Sequence, residues 1–222
     1  MNDAQYKHVV YEEIAGVLTA FGEPHRLELL ELLCQCERNV EALSEMLGLG
    51  ITTVSHHLQV LKRARLVEHM KVGRRVYYSA TPMAISLWNS VANVAAHELA
   101  VVKCASEELF EQTDDAESLD YDELVRRIEN GEAVLIDVRP EEEYAAGHVP
   151  GAISISLERL RESASTLPRD KPVFAYCRGR YCVLSHEAVQ FLEEEGFTAT
   201  RLPIGVAEWK AAGAVLPSTK GV

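Results

Sequence analysis

Pro172-Val173-Phe174-Ala175-Tyr176-Cys177-Arg178-Gly179-Arg180-Tyr181-Cys182 is an apolar run of strand length that passes directly into a basic loop. Val183 to Glu195 follow, with Val183, Leu184, Ala188, Phe191 and Leu192 at helical spacing. The order is strand, short loop, helix, and Cys177 stands where the strand ends. Backbone N–H groups of such a loop, and of the first turn of the next helix, converge on one concavity that favours an anion. With Arg178 and Arg180 in the same loop, the Cys177 thiol is expected to ionise early and act as a thiolate nucleophile.

Outward from this loop, Val134–Val138 and Ala152–Ile155 read as further short apolar strands, and Thr198 to Leu202 as a fourth. Leu119-Asp120-Tyr121-Asp122-Glu123-Leu124 reads as the start of a helix. Strands alternating with helices predict an α/β domain with a parallel sheet, buried on both faces. In such sheets ligands bind beyond the carboxyl ends of the strands, where Cys177 falls.

Three blocks around these strands resemble a rhodanese (sulfurtransferase) domain. They are Leu135-Ile136-Asp137-Val138-Arg139-Pro140 with Glu143-Tyr144, then Gly147-His148-Val149-Pro150-Gly151-Ala152, then Gly205-Val206-Ala207-Glu208-Trp209 with Ala211-Ala212-Gly213. Ile204 departs from the pattern, where the family usually carries the first glycine of a pair. The resemblance implies that Cys177 takes a sulfane sulfur from polysulfide, a persulfide or thiosulfate and becomes a persulfide. The N–H groups of Arg178 to Val183, those of Gly179, Tyr181 and Val183 among them, would hold that anion. Arg178 and Arg180 would attract the donor, Asp137 and Arg139 would organise the site, and no cofactor is called for. Cys182, five residues on, reads either as a thiol that receives the sulfur or closes a disulfide, or as a packing residue.

The first 110 residues follow another pattern. Tyr6, Val9, Val10, Ile14, Val17, Leu18 and Phe21 mark an amphipathic helix ended by Gly22, and Pro24 opens a second helix bearing Leu27, Leu30 and Cys34. Val40–Leu47 is a third, closed by Gly48, and Gly50-Ile51 leads into a fourth, 52–62, with Val54, Leu58 and Leu61 as its apolar stripe. Thr52, Thr53, Ser55, His56, His57, Gln59 and Lys62 lie largely off that stripe, the pattern of a helix-turn-helix recognition helix. Leu66–Val72 and Arg75–Ser79 flank Gly73-Arg74, a β-hairpin whose tip carries Arg74 and Arg75. Between Thr52 and Tyr78 six basic residues face the single acid Glu68, in a chain of net charge −12. The acidic total argues against non-specific nucleic-acid binding, whereas a local basic face is a footprint for phosphate.

Gly22-Glu23-Pro24-His25-Arg26-Leu27, Thr53-Val54-Ser55-His56-His57-Leu58-Gln59-Val60-Leu61 and Gly73-Arg74-Arg75-Val76-Tyr77-Tyr78 resemble the ArsR-type winged-helix repressors. That resemblance implies a homodimer that sets its recognition helices in a palindromic operator. Dimer contacts would come from the first helix and from a long helix after the wing, about Pro82 to Phe110. The family's metal-binding Cys-x-Cys positions correspond here to Asn39 and Glu41. Cys34 and Cys36 lie earlier, on alternate faces of their helix. Cys34, Cys36 and Cys104 are candidate sulfur- or oxidation-sensing thiols, with a plain core role for Cys34 as the alternative, and no metal ligands are assigned.

The chain of 222 residues has room for two ordinary domains. These are placed at 1–112 and 119–222, joined by an acidic linker at 113–118. No apolar run is long enough to cross a membrane, the N-terminus lacks a secretory pattern, and five cysteines do not form a disulfide framework, so the cytoplasm is the expected compartment. The expected function is a transcriptional repressor whose operator binding responds to sulfur carried on Cys177. The alternatives are a sulfurtransferase that controls only its own operon, and a metal- or arsenic-responsive repressor.

Overall fold

The computed structural model describes residues 2–110, 121–211 and 216–219. The acidic segment 113–118, Leu119-Asp120 and Ala212-Gly213 lie outside the described residues. The chain divides into two compact units, Met1–Trp88 and Asn89–Val222.

In the first unit, α1 (Asp3–Phe21) is capped by Asn2, and α2 (Pro24–Gln35) begins at Pro24 with the Glu23 carboxylate accepting from the Arg26 N–H. Strand β1 (Arg38–Asn39) precedes α3 (Val40–Leu47), which Gly48 closes in the left-handed region, and α4 (Ile51–Arg63) follows. The stripe read from the sequence is the buried face: Val54, Leu58 and Leu61 are inaccessible and pack with Leu29, Leu30, Leu33 and Leu43. Strands β2 (Val67–Val72) and β3 (Arg75–Ala80) form the antiparallel wing. The wing gains a third strand that the sequence pattern does not announce. Arg38 and Asn39 of β1 pair with Tyr78 and Tyr77 of β3, a two-residue ladder too short to show alternation.

Helix α4 ends with Arg65 at φ 59°, and the Leu66 N–H closes onto the Leu61 carbonyl at 3.0 Å. This is a left-handed helix stop built on a residue other than glycine. After the wing, the expected single helix is two, α5 (Pro82–Glu98) and α6 (Ala100–Phe110), interrupted at Leu99. The i→i−4 bonds continue across the break, from Leu99 N–H to Ala95 and from Lys103 N–H to Leu99, and no glycine or proline explains it.

In the second unit the sheet order is β5-β4-β6-β7, all parallel: β4 (Val134–Asp137), β5 (Ile153–Ser154), β6 (Val173–Cys177) and β7 (Ala199–Gly205). Strand β6 is central and every residue of it is buried, which is why it reads as an unbroken apolar run. Two apolar clusters hold the sheet: Ile136, Val138, Val173, Ala175, Ala188 and Leu192 form one, and Leu135, Phe174, Tyr176 and Leu202 the other. Helices α7 (Tyr121–Glu129), α8 (Glu141–Ala146), α9 (Leu157–Ser163), α10 (Leu184–Glu194) and α11 (Val206–Ala211) complete the unit. At Gly205, β7 passes so close to the end of β6 that an added Cβ would lie 2.5–2.6 Å from the Arg178 carbonyl group. Ile204 joins the second cluster, so the missing first glycine leaves this approach intact.

Candidate functional site

Cys177 is the last residue of β6 and is fully buried under the loop 178–183 that leads into α10. Its Sγ lies 3.1 Å from Ser185 Oγ and 3.4 Å from the Cys182 carbonyl oxygen. Burial opposes an anion here. The Cys182 S–H, the Ser185 hydroxyl and the Ser185 N–H outweigh that effect as donors, with Arg201 adding positive charge, and the Cys177 pKa falls to about 7. The direction is the one the loop suggests, but Ser185 on the first turn of α10 is a principal donor. The sequence offered one signal for it, a small hydroxyl side chain just inside the helix after the loop. Cys182 is the reverse case. Contact with the Cys177 sulfur and burial push its pKa up, so it stands in the resting site as a thiol that donates to Cys177. Its N–H is spent within the loop, on the Gly179 carbonyl at 3.2 Å.

The two loop arginines differ. Arg178 is held by Glu143 of α8, which is inaccessible to solvent, through Nε at 3.1 Å to both oxygens and Nη2 at 2.8 Å. Arg178 thus fixes the loop to α8, and its charge is already matched. Arg180 presents its carbonyl to Nη2 of Arg201, a residue of β7. Arg201 is stacked 3.7 Å from the centre of the Phe110 ring, and burial lowers its pKa while Cys177 pulls the other way. A cation inside a strand of the parallel sheet was the available signal for Arg201. Tyr181 donates its hydroxyl to the Ala92 carbonyl at 2.8 Å. Gly179 has φ 144°, and a Cβ there would lie 2.8 Å from Glu208 Oε1, so this position excludes a side chain.

Asp137 and Arg139 are buried beneath the site. Arg139 Nε and Nη2 donate to the two Asp137 oxygens at 2.9 and 2.6 Å, and Nη2 also reaches the Gly147 carbonyl at 2.9 Å. The Tyr176 hydroxyl donates to Asp137 and accepts from the Val149 N–H, so one polar network ties the ends of β4 and β6 to the 147–149 segment. Asp137 and Arg139 hold each other and the framework around the loop.

In the first unit, Thr52, Thr53 and His56 are exposed on α4, and Arg74 and Arg75 are exposed at the wing tip. Gln59 is exposed and donates to the Tyr78 hydroxyl at 3.2 Å, while half-buried Lys62 lies 3.1 Å from His69 Nε2, so both lean towards the wing. Ser55 is half-buried. His57 turns inward, with Nδ1 3.5 Å from the Glu23 carboxylate, and burial holds it below the ordinary imidazole range against the pull of Glu23. Cys34 and Cys36 are buried, the latter in extended backbone at the cap of α2, and Cys104 is exposed. Among the described residues no helix is long and apolar enough to cross a membrane, and no three His, Cys, Asp or Glu side chains cluster as metal ligands would.

Comparison with known proteins matches two stretches of the chain to two families. Residues 23–69 match the family described as bacterial regulatory protein, arsR family, and residues 120–212 match the rhodanese-like domain. The HTH-type transcriptional regulator Rv0324 of Mycobacterium tuberculosis is 40% identical over 216 residues, covering 97% of this chain and 94% of its own. Thiosulfate sulfurtransferase GlpE of Coxiella burnetii is 33% identical over 90 residues, 40% of this chain and 79% of its own. Among solved structures, the homodimeric winged helix-turn-helix DNA-binding domain Mb0332 of Mycobacterium bovis has 35% identity and a TM-score of 0.43, covering 46% of this chain and 93% of its own.

Proposed function

Since this chain belongs to the ArsR-family transcriptional regulators and carries a C-terminal rhodanese-like domain, we propose that it is a sulfur-responsive regulator that loads a sulfane sulfur on Cys177 and changes its operator affinity in consequence. The observation that carries this reading is a fully buried cysteine at a strand end with the Ser185 hydroxyl 3.1 Å from its sulfur. Such donors, in place of solvent, favour its thiolate and bring its pKa down to about 7, as a sulfur nucleophile requires.

In the loading step the Cys177 thiolate attacks the outer sulfur of a persulfide R–S–SH. A sulfur–sulfur bond forms to Cys177 as the donor's sulfur–sulfur bond breaks, and the electron pair leaves with the donor as a thiolate. The proton of the transferred SH passes to that thiolate, leaving a thiol and a persulfide anion on Cys177. Ser185 and the Cys182 S–H, which now hold the thiolate, are the donors nearest the new anion. An acceptor thiolate reverses the sequence, and Cys177 departs as a thiolate.

The DNA-binding half is proposed as a homodimer that reads a palindromic operator through Thr52, Thr53, His56 and Gln59, with Arg74 and Arg75 on phosphate. Exposed apolar residues along α1, including Tyr6, Val9, Ile14 and Leu18, support a partner surface there. Gel-shift titration of the whole protein with polysulfide and with thiosulfate, for the wild type and Cys177→Ser, tests the coupling. The wild type should gain the mass of one sulfur atom at Cys177 and change its operator affinity, and Cys177→Ser should do neither. Operator release by polysulfide that survives Cys177→Ser would refute the coupling.

A further inference from the structure

Glu208 is a second buried carboxylate beside the sulfur loop, and nothing in the loading step uses it. Its Oε2 accepts the Gly205 N–H at 2.9 Å, and its Oε1 fills the space where a side chain at Gly179 would project. The carboxylate is thereby wedged between the 178–183 loop and the β7–α11 turn. Arg178 is engaged by Glu143 at 2.8 Å, and Arg180 is near enough to Glu208 to favour its carboxylate. Arg201 remains as the cation that acts on the Cys177 sulfur. With Glu208 ionised, three guanidiniums and two carboxylates leave one net positive charge, which matches one thiolate or one persulfide anion.

We propose that Glu208 is a specificity-determining residue of the Cys177 site, one that disfavours the thiosulfate dianion and selects low-charge sulfane donors such as cysteine persulfide. The inference rests on the reading of Cys177 as the sulfur-loading nucleophile. Thiosulfate brings two negative charges to a concavity whose positive charge is already committed, and the Glu208 carboxylate adds a third at the loop. A persulfide reacting as R–S–SH brings no charge on its transferred sulfur, so Glu208 does not oppose it. Burial raises the Glu208 pKa to about 7; the Gly205 and Glu208 N–H groups and Arg180 pull it down, and Cys177 pushes it up. Lys210 on α11 and Arg201 on β7 are the other cations of the elements packed here. Selection against thiosulfate therefore strengthens as pH rises through neutrality and Glu208 ionises.

The test is the ratio of kcat/KM for cysteine persulfide to that for thiosulfate, measured across neutral pH on the whole protein. Ionisation of Cys177 acts on both donors alike within one protein and cancels in the ratio, and ionisation of the persulfide is the same for wild type and Glu208→Gln, so the change in ratio between the two proteins isolates Glu208. The amide keeps an acceptor for the Gly205 N–H and removes the charge. In the alkaline arm, Glu208→Gln should lower the ratio by more than about ten-fold through improved thiosulfate use, since unit charges a few ångströms apart at an effective dielectric near 20 interact by well over the about 1.4 kcal/mol that ten-fold requires. In the acid arm the two proteins should converge. Glu208→Ala, which opens space against Gly179, serves if the glutamine variant does not fold, with the same expectation. Ratios that agree within about two-fold at every pH, against that expectation, would overturn the role of Glu208 while leaving Cys177 loading intact. Failure of both donors to load an intact Cys177 would instead overturn the underlying reading.

Discussion

Ser185→Ala is the most direct probe of how the Cys177 thiolate is held. The Ser185 hydroxyl stands 3.1 Å from Cys177 Sγ, and both residues are inaccessible to solvent. A hydrogen bond to a charged group contributes about 1.5–3 kcal/mol, and one pKa unit corresponds to about 1.4 kcal/mol. The alanine variant keeps the Ser185 N–H and the Cys182 S–H, so about one unit of the depression should be lost. The hydroxyl favours the anion, so its removal raises the pKa, from about 7 to about 8. At neutral pH the thiolate fraction then falls from about a half to about a tenth, and sulfur uptake slows about five-fold, an effect that disappears in alkaline solution. The assay is the pH dependence of alkylation at Cys177, followed by peptide mass spectrometry with exposed Cys104 as internal reference. Linkage gives a second readout. Cys177 binds its proton less tightly folded than unfolded, so the wild type gains stability as pH rises from about 7 towards about 9, and the variant should gain less. An apparent pKa within about 0.3 unit of wild type would show that the hydroxyl does not donate to the sulfur.

Two further substitutions separate framework from chemistry. Asp137→Asn leaves the fully buried Arg139 without its counter-charge and should cost about 3–5 kcal/mol in denaturant unfolding of the second unit; a loss under about 1 kcal/mol would contradict the ion-pair account. Arg65→Gly relieves the left-handed backbone at the end of α4 and should raise the stability of the first unit by about 1 kcal/mol in thermal unfolding, while weakening DNA binding through the lost charge. Unchanged or lowered stability would mean that the Arg65 side chain compensates for its own backbone.

Both domains were legible from local pattern because each of their periods has one physical cause. Val54, Leu58 and Leu61 recur at helical spacing because one face of α4 is buried, and Val173 to Cys177 are uniformly apolar because β6 is covered on both sides. Gly48, Gly73 and Gly179 mark turns because their backbones are left-handed, where a side chain is strained. The place of Cys177 at a strand end was legible for the same reason, since a strand followed by a short basic loop is a local arrangement.

What stayed hidden depends on residues far apart in the chain. Glu143 engages Arg178 from thirty-five positions away, Arg201 and Glu208 reach the loop from β7 and α11, and contact with Cys177 together with burial pushes the Cys182 pKa up. Likewise β1 joins the wing through a two-residue ladder, and His57 leaves the outer face of α4 to meet Glu23. Periodicity reports which side of an element is dry, because that repeats along the backbone. Which charge meets which is a matter of packing between distant elements, and it leaves no repeating trace in the order of residues.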